Sequence, residues 1–183
     1  AIPLDDELPL LLVGMSEGAE LLPFLAAALP RRVDGLVLIS GAGIDPVEAG
    51  ALQARRLGES APWQALERAQ GSSLPDEQVI DGRTLRYWRG LWDWRSEAAL
   101  LAAPVPVLQV WGDADALLPA EAFERFAERA QQRPAGLFCR LRFVGADHGL
   151  QAGGVDGLQQ VWAVIERWAR RPGQGLCAAV AGR

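Results

Sequence analysis

Lysine and asparagine are absent from the 183 residues, histidine and tyrosine occur once each, and cysteine occurs twice. Each scarcity closes off a class of function. The charged residues number 18 basic against 23 acidic, a formal charge of -5, so nothing in the balance favours nucleic acid or an anionic membrane surface. The exclusive use of arginine as base reads as coding bias towards a GC-rich genome, with no functional message. Cys139, in a strand-like stretch, and Cys177, near the end, give neither a metal spacing nor a disulfide framework, and Cys139 reads as a small buried hydrophobe. No metal and no cofactor is expected. No apolar run is long enough to span a bilayer, and the first residues do not read as a secretory leader. What is abundant is apolar surface: half the residues are hydrophobic, enough to bury a sizeable core in one compact domain.

Against that background one pentapeptide stands out. Gly14-Met15-Ser16-Glu17-Gly18 follows the apolar run Leu8-Pro9-Leu10-Leu11-Leu12-Val13 and precedes a helix-like segment. A buried strand that turns sharply into a helix holds a serine hydroxyl proud of a sheet edge, at a helix N-terminus that favours developing negative charge. Glycine at either end lets strand and helix backbones pass close together around the serine. As a pattern, G-x-S-x-G is weak alone and gains weight from this strand-turn-helix context.

Two downstream features join it. Val105 to Trp111 reads as a strand running into Gly112-Asp113-Ala114-Asp115-Ala116-Leu117-Leu118-Pro119, an acidic loop at a strand's C-terminal end. Leu137 to Val144 reads as another strand and delivers Gly145-Ala146-Asp147-His148-Gly149, which holds the only histidine. Asp113 and Asp115 compete for the role of a carboxylate that orients a base, and Asp147 beside the histidine reads as solvated.

With these residues in place the sequence resembles the α/β-hydrolase family, whose nucleophile, acid and histidine follow one another in this order, each just past a strand. The resemblance implies Ser16 as nucleophile, His148 as general base and Asp115, rather than Asp113, as the acid that fixes the imidazole tautomer. It also implies that the Glu17 backbone N–H is one oxyanion donor. The fold expected is α/β, a mostly parallel sheet flanked by helices, lacking the strands that precede the nucleophile strand and carrying a helical cap insertion.

The resemblance covers nearly the whole chain but only the second half of that fold. Fifteen residues precede Ser16, too few for a strand-helix-strand crossover of about thirty residues. The second oxyanion amide belongs to that earlier part, and one missing donor costs about 10²–10³ in turnover. The strand at Leu8 to Val13 is apolar at nearly every position, as parallel strands paired on both sides are. An unpaired edge there invites association, so the expectation is either a piece of a longer protein or an edge that pairs with another copy or chain.

The organisation expected is a hydrolase core over residues 1–45 and 104–171, a helical cap or lid over 46–103, and a flexible tail over 172–183. Within the core, strands fall at 8–14 and Val33 to Ser40. Helices fall at 17–29 (kinked at Pro23), from Ala120 to Gln132, and from Val155 to Arg170 with Leu158, Val161, Trp162, Ile165 and Trp168 inward. The cap is helical in pattern, broken at Pro62, at Gly71-Ser72-Ser73 and at Asp81-Gly82. Its segment Arg86-Tyr87-Trp88-Arg89-Gly90-Leu91-Trp92-Asp93-Trp94-Arg95 has two readings. One is an aromatic wall of an acyl pocket with an arginine ready for an anionic group, with Met15, Trp88 and Trp92 as substrate contacts. The other, favoured on general grounds, is a cap helix packing its rings on the core while the arginine stems run outward.

The function expected is a serine hydrolase acting on a small acyl substrate, a carboxylic ester, thioester or small amide, through an acyl-Ser16 intermediate. A non-catalytic binding module or incomplete fragment, and an acyltransferase using the same three residues, are the alternatives.

Overall fold

The computed structural model describes residues 8–182. Residues 1–7 of the expected core and Arg183 of the expected tail lie outside the described residues. In chain order the elements are β1 (Leu11–Met15), α1 (Glu17–Glu20), α2 (Leu22–Ala28), β2 (Gly35–Ile39), α3 (Pro46–Leu57) and α4 (Ser60–Gln70). A two-residue ribbon, β3 (Val79–Ile80) with β4 (Arg83–Thr84), leads into α5 (Leu85–Asp93) and α6 (Ser96–Ala102). Then come β5 (Val107–Gly112), α7 (Ala120–Ala130) and β6 (Phe138–Phe143), a second ribbon of β7 (Gln151–Ala152) with β8 (Val155–Asp156), α8 (Gly157–Arg170) and α9 (Leu176–Ala181).

The main sheet has the order β1-β2-β5-β6 and all its pairings are parallel. β2 and β5 are buried at every position, which is why both read as near-continuous apolar runs. Side chains alternate between two covered faces. Leu36, Leu38 and Val107 pack with Ala19, Leu22, Ala49, Leu52, Leu100 and Phe126 on one face. Val37, Ile39, Leu108 and Val110 pack with Val161, Val164, Trp168 and Leu176 of α8 and α9 on the other. β1 forms the sheet edge: among the described residues its only strand partner is β2. Its face towards α8 and α9 is covered at Leu11 but open beyond, leaving Val13 37% and Met15 42% exposed.

Several details depart from the sequence-based expectation. The helix expected over 17–29 is two helices, and Pro23 sits in the first turn of α2, where its missing N–H breaks no helical bond. Pro62 is likewise inside the first turn of α4 and does not interrupt it. On α8 the buried positions are Val161, Val164 and Trp168, spaced for one helix face, and Trp162 falls off that stripe and is 47% exposed. α3 and α6, at the two ends of the insertion, contribute Ala49, Leu52 and Leu100 to the core beside β2. The part that stands over the strand ends is α4, the first ribbon and α5.

The tail departs most. A 3₁₀ turn at Pro172–Gln174 leads into α9, whose Leu176 is fully buried. Cys177 on α9 is bonded to Cys139 on β6, with Cα atoms 5.4 Å apart. The two cysteines, read separately as a core hydrophobe and a tail residue, are one cross-link that clips the last helix to the sheet.

Glu48 of α3 joins the insertion to α7. It accepts from Arg125 at 2.6 Å and from Arg129 at 3.0 Å, and Arg129 continues to Glu97 of α6 at 2.6 Å. The Arg129 hydrogen bond, helped by Arg125 and opposed by burial, holds the Glu48 carboxyl below its ordinary value. A lowered carboxyl contributes stability above the unfolded value, and that contribution is lost as pH falls through the folded one. Glu48→Gln is expected to lower unfolding free energy by about 1 kcal/mol at neutral pH, with the difference shrinking in denaturant melts as pH falls below the ordinary glutamate value of about 4.3. The disulfide closes a segment of 38 residues, for which chain entropy gives about 4 kcal/mol. Cys177→Ser is therefore expected to lower Tm by about 10 °C, and reduction of the unaltered protein should reproduce that shift in a calorimetric scan.

Candidate active site

Because the four main strands run the same way, the turns after them all open at one edge of the sheet. The first of these turns is the Ser16 elbow. Ser16 N donates to the Ile39 carbonyl at 2.8 Å, extending the β1–β2 ladder by one residue, and Ala19 N then donates to the Ser16 carbonyl at 3.0 Å. Between the two bonds the backbone must reverse, and Ser16 has φ 54° and ψ −129°, a strained conformation for a residue with a Cβ. Gly14 makes the turn possible: a Cβ there would collide with the Gly18 backbone of α1. At Gly18 itself a Cβ would meet nothing, so of the two glycines only Gly14 is required by close approach. The Ser16 side chain makes no capping hydrogen bond to α1. Glu17 is the first residue of α1, so its backbone N–H has no intrahelical acceptor.

The acidic loop leaves β5 with Gly112 pressed against the backbone at Ala146 and Asp147, a contact that a side chain would block. Asp113 N donates to the Phe143 carbonyl at 3.2 Å and Ala114 N to the Ala146 carbonyl at 3.0 Å. These bonds tie the acidic loop to the histidine loop. They send the two aspartates in different directions. Asp113 is drawn outward to Arg142, at 2.6 and 2.9 Å, and to Gly145 N. The Arg142 hydrogen bonds, with that amide, hold its carboxyl below the usual carboxylate range. Asp115 turns inward, its side chain 1% exposed. Its Oδ1 accepts from Leu117 N at 2.7 Å and Leu118 N at 3.0 Å, and its Oδ2 lies 2.7 Å from His148 Nδ1.

Ser16 and His148 line one cavity of about 270 Å³. Its other walls come from α3 (Ala49, Gly50, Gln53), α4 (Trp63) and α5 (Tyr87, Trp88, Leu91). Trp88 is thus a lining residue, its Nε1 anchored on the Ile80 carbonyl at 2.9 Å. Met15 and Trp92 are not among the lining residues. Met15 points to the open face of β1, opposite the side of Gly14 and α1. Trp92 stacks on Trp63 at 5.3 Å between ring centroids and braces the wall from behind. The arginine reading of the cap segment is also corrected. Arg86 binds Glu77 at 2.8 Å, Arg89 binds Asp76 and three backbone carbonyls, and Arg95 binds Asp45 at 3.3 Å. All three guanidinium groups have a carboxylate partner within the protein.

Four residues around the site escaped sequence reasoning. Ser40, fully buried with φ 50° at the end of β2, donates from Oγ to the His148 carbonyl at 2.7 Å. A hydroxyl at the end of the strand beside the strand that leads to Ser16 is the signal that could have drawn notice. Arg56 and Gln53 of α3 donate to the carbonyls of Asp115 and Ala116, holding the acidic loop from the insertion side. Glu20, one turn after Ser16, also faces the cavity. Burial first, then repulsion from Glu17 and Asp45, pushes its carboxyl up to about 7.

No protein-family model and no curated protein matches the chain. Solved structures do. Est1E from Butyrivibrio proteoclasticus is 19% identical with a TM-score of 0.57, covering 87% of this chain and 59% of its own. The esterase domain of a Rhodothermus marinus protein is 20% identical at a TM-score of 0.55, covering 89% of this chain and 61% of its own. A monoacylglycerol lipase from Paleococcus ferrophilus is 22% identical at a TM-score of 0.53, covering 89% of this chain and 69% of its own. The chain thus spans about three fifths of the length of the first two. A parallel sheet covered on both faces, a strained serine in the turn after its edge strand and these likenesses agree on one architecture, the α/β-hydrolase fold.

Proposed function

We propose that the chain carries the reactive half of a serine hydrolase that cleaves a carboxylic ester, thioester or small amide through an acyl-Ser16 intermediate. The observation that carries the reading is the Asp115–His148 pair, 2.7 Å between Oδ2 and Nδ1, opening on the cavity that Ser16 lines. With Nδ1–H donated to Asp115, the neutral ring presents Nε2 as acceptor. His148 takes the Ser16 hydroxyl proton as the oxygen attacks the acyl carbonyl, and Asp115 stabilises the imidazolium that forms. The ring then protonates the leaving group, and water activated in the same way discharges the acyl-enzyme. The Glu17 N–H is one donor to the developing oxyanion. The outer edge of β1 is where a further strand, from another segment or another chain, would pair and bring a second.

A fluorophosphonate probe tests the reading without knowledge of the substrate. Labelling is expected at Ser16, abolished in Ser16→Ala and reduced at least a hundredfold in His148→Ala, as expected for a lost general base contributing about 10²–10⁴. Equal labelling of the native and His148→Ala chains, read by intact mass, would remove His148 from the mechanism. The two aspartates should separate in the same assay. Asp115→Asn is expected to slow labelling by up to about 10⁴ through the wrong imidazole tautomer, whereas Asp113→Asn, weakening bonds to Arg142 and Gly145 that face away from the histidine ring, should leave the rate within the same order of magnitude. The reverse ranking would reassign the acid.

A further inference from the structure

The cavity of Ser16 and His148 does not end at the cap. Glu17, Glu20, Tyr87 and Leu91 line it and also line a second cavity of about 560 Å³, which continues between α5 and α1 to Leu21 and Trp94. These four residues are the shared wall of one groove leading away from the serine. Two of them are acids, and among the described residues neither forms an ion pair, whereas Arg86, Arg89 and Arg95 of the cap are spent on Asp76, Glu77 and Asp45. Glu17 accepts only the Tyr87 hydroxyl, at 3.2 Å. Arg86 also lines the second cavity, but its charge is met by Glu77 at 2.8 Å and Asp76 at 3.6 Å; the other side chains of the wall are Tyr87, Trp94 packed on Phe24 at 4.7 Å, Leu21 and Leu91.

We propose that this groove binds the cationic, ammonium-bearing part of the substrate, held by the Glu17 and Glu20 carboxylates and by the ring face of Trp94. The inference rests on the serine-hydrolase reading for its substrate but not for its binding chemistry. An alkylammonium group suits a wall that is both apolar and negative, because its methyl groups bury against rings while its charge meets the ring quadrupole and the carboxylates. A carboxylate-bearing substrate meets two uncompensated acids. A neutral chain fills the groove but leaves Glu20 half-buried without a partner.

Charge enters the groove from each element packed around it. α1 supplies Glu17 and Glu20. The N-terminus of α3 is preceded by Asp45, already paired with Arg95. Ahead of α5, Arg83 of the first ribbon lies 5.1 Å over the Tyr87 ring; α5 itself supplies Arg86, bound to Glu77 and Asp76. His148 faces the serine end. Since a bound cation favours ionised Glu20, whose carboxyl lies near 7 when free, cation affinity should rise with pH through neutrality and level off above it.

The test uses the intact chain and two isosteric probes, choline and 3,3-dimethylbutan-1-ol, titrated by tryptophan fluorescence and by calorimetry. Choline is expected to bind about tenfold more tightly than the neutral isostere at pH 8, and Glu20→Gln and Glu17→Gln should each shrink that ratio several-fold. The ratio should fall between about pH 8 and pH 6 in the native chain and be flat in Glu20→Gln. Equal affinity for the two probes, a preference that survives both substitutions, or no saturable binding of either would overturn the proposal. Because binding needs no Ser16, the two readings fail separately: fluorophosphonate labelling without cation preference removes the groove's role, and cation preference without labelling removes hydrolysis.

Discussion

Parallel pairing of β1, β2, β5 and β6 is the constraint on which every other feature of the site depends. A parallel sheet puts all the C-terminal strand ends on one edge, so residues far apart in sequence are delivered to one place by strand direction alone. The Ser40 hydroxyl reaches the His148 carbonyl across 108 positions, and Asp115 reaches the His148 ring across 33. Had β6 run antiparallel, the loop holding the histidine would open at the opposite end of the sheet. The register matters as well: Met15 lies opposite Ile39, and Val110 opposite both Ile39 and Leu141, so the four strands end nearly level and their turns form one layer.

Within that layer the backbone does most of the positioning. Ser16 N and Ser40 N each continue a ladder one residue beyond its strand, and Asp113 N and Ala114 N fasten the acidic loop to the chain after β6. Side chains enter only where the main chain has no group to offer. Asp115 divides its oxygens, one satisfied by two loop amides and the other left for the imidazole. A carboxylate fixed by backbone amides on one oxygen cannot rotate away from its partner on the other without giving up those bonds. The insertion adds a second clamp through Arg56, so the part of the chain that covers the site also helps to fix the acid.

The core of this arrangement was legible because it is written in local chemistry. An apolar run, a glycine-flanked serine and a helix pattern specify an elbow, and strand-like runs before Asp115 and His148 specify where those residues emerge. What was not legible depends on contacts between distant segments. Cys139 and Cys177 carry no signal of pairing until α9 folds back on β6. The tail is rich in glycine and alanine, and its order rests on the disulfide and on the burial of Leu176. Trp88 and Trp92 both belong to the aromatic run of α5. Only the stacking of Trp92 on Trp63, which itself closes over Gly50, shows that one lines the cavity and the other supports the wall. The arginines misled for a related reason. Their acids, Asp76, Glu77 and Asp45, lie outside the aromatic run, and pairing with them reverses the apparent charge of the groove.

That reversal bears on the surroundings of Ser16. Glu17 has two groups with opposite electrostatic sense: a backbone N–H that, in the proposed mechanism, favours charge on the acyl oxygen, and a carboxylate that opposes it. The Tyr87 hydroxyl resolves the conflict by geometry, since its hydrogen bond to Glu17 Oε1 orients that carboxylate towards α5. Burial and the neighbouring Glu17 raise the Tyr87 hydroxyl's pKa, so it remains a donor well above neutral pH. The same bond therefore faces the carboxylate into the groove and limits its opposition at the oxyanion. An anion near the proposed oxyanion site is tolerable only when something else takes up its charge, and the Tyr87 hydroxyl does so in part, leaving the remainder for the cation proposed in the groove.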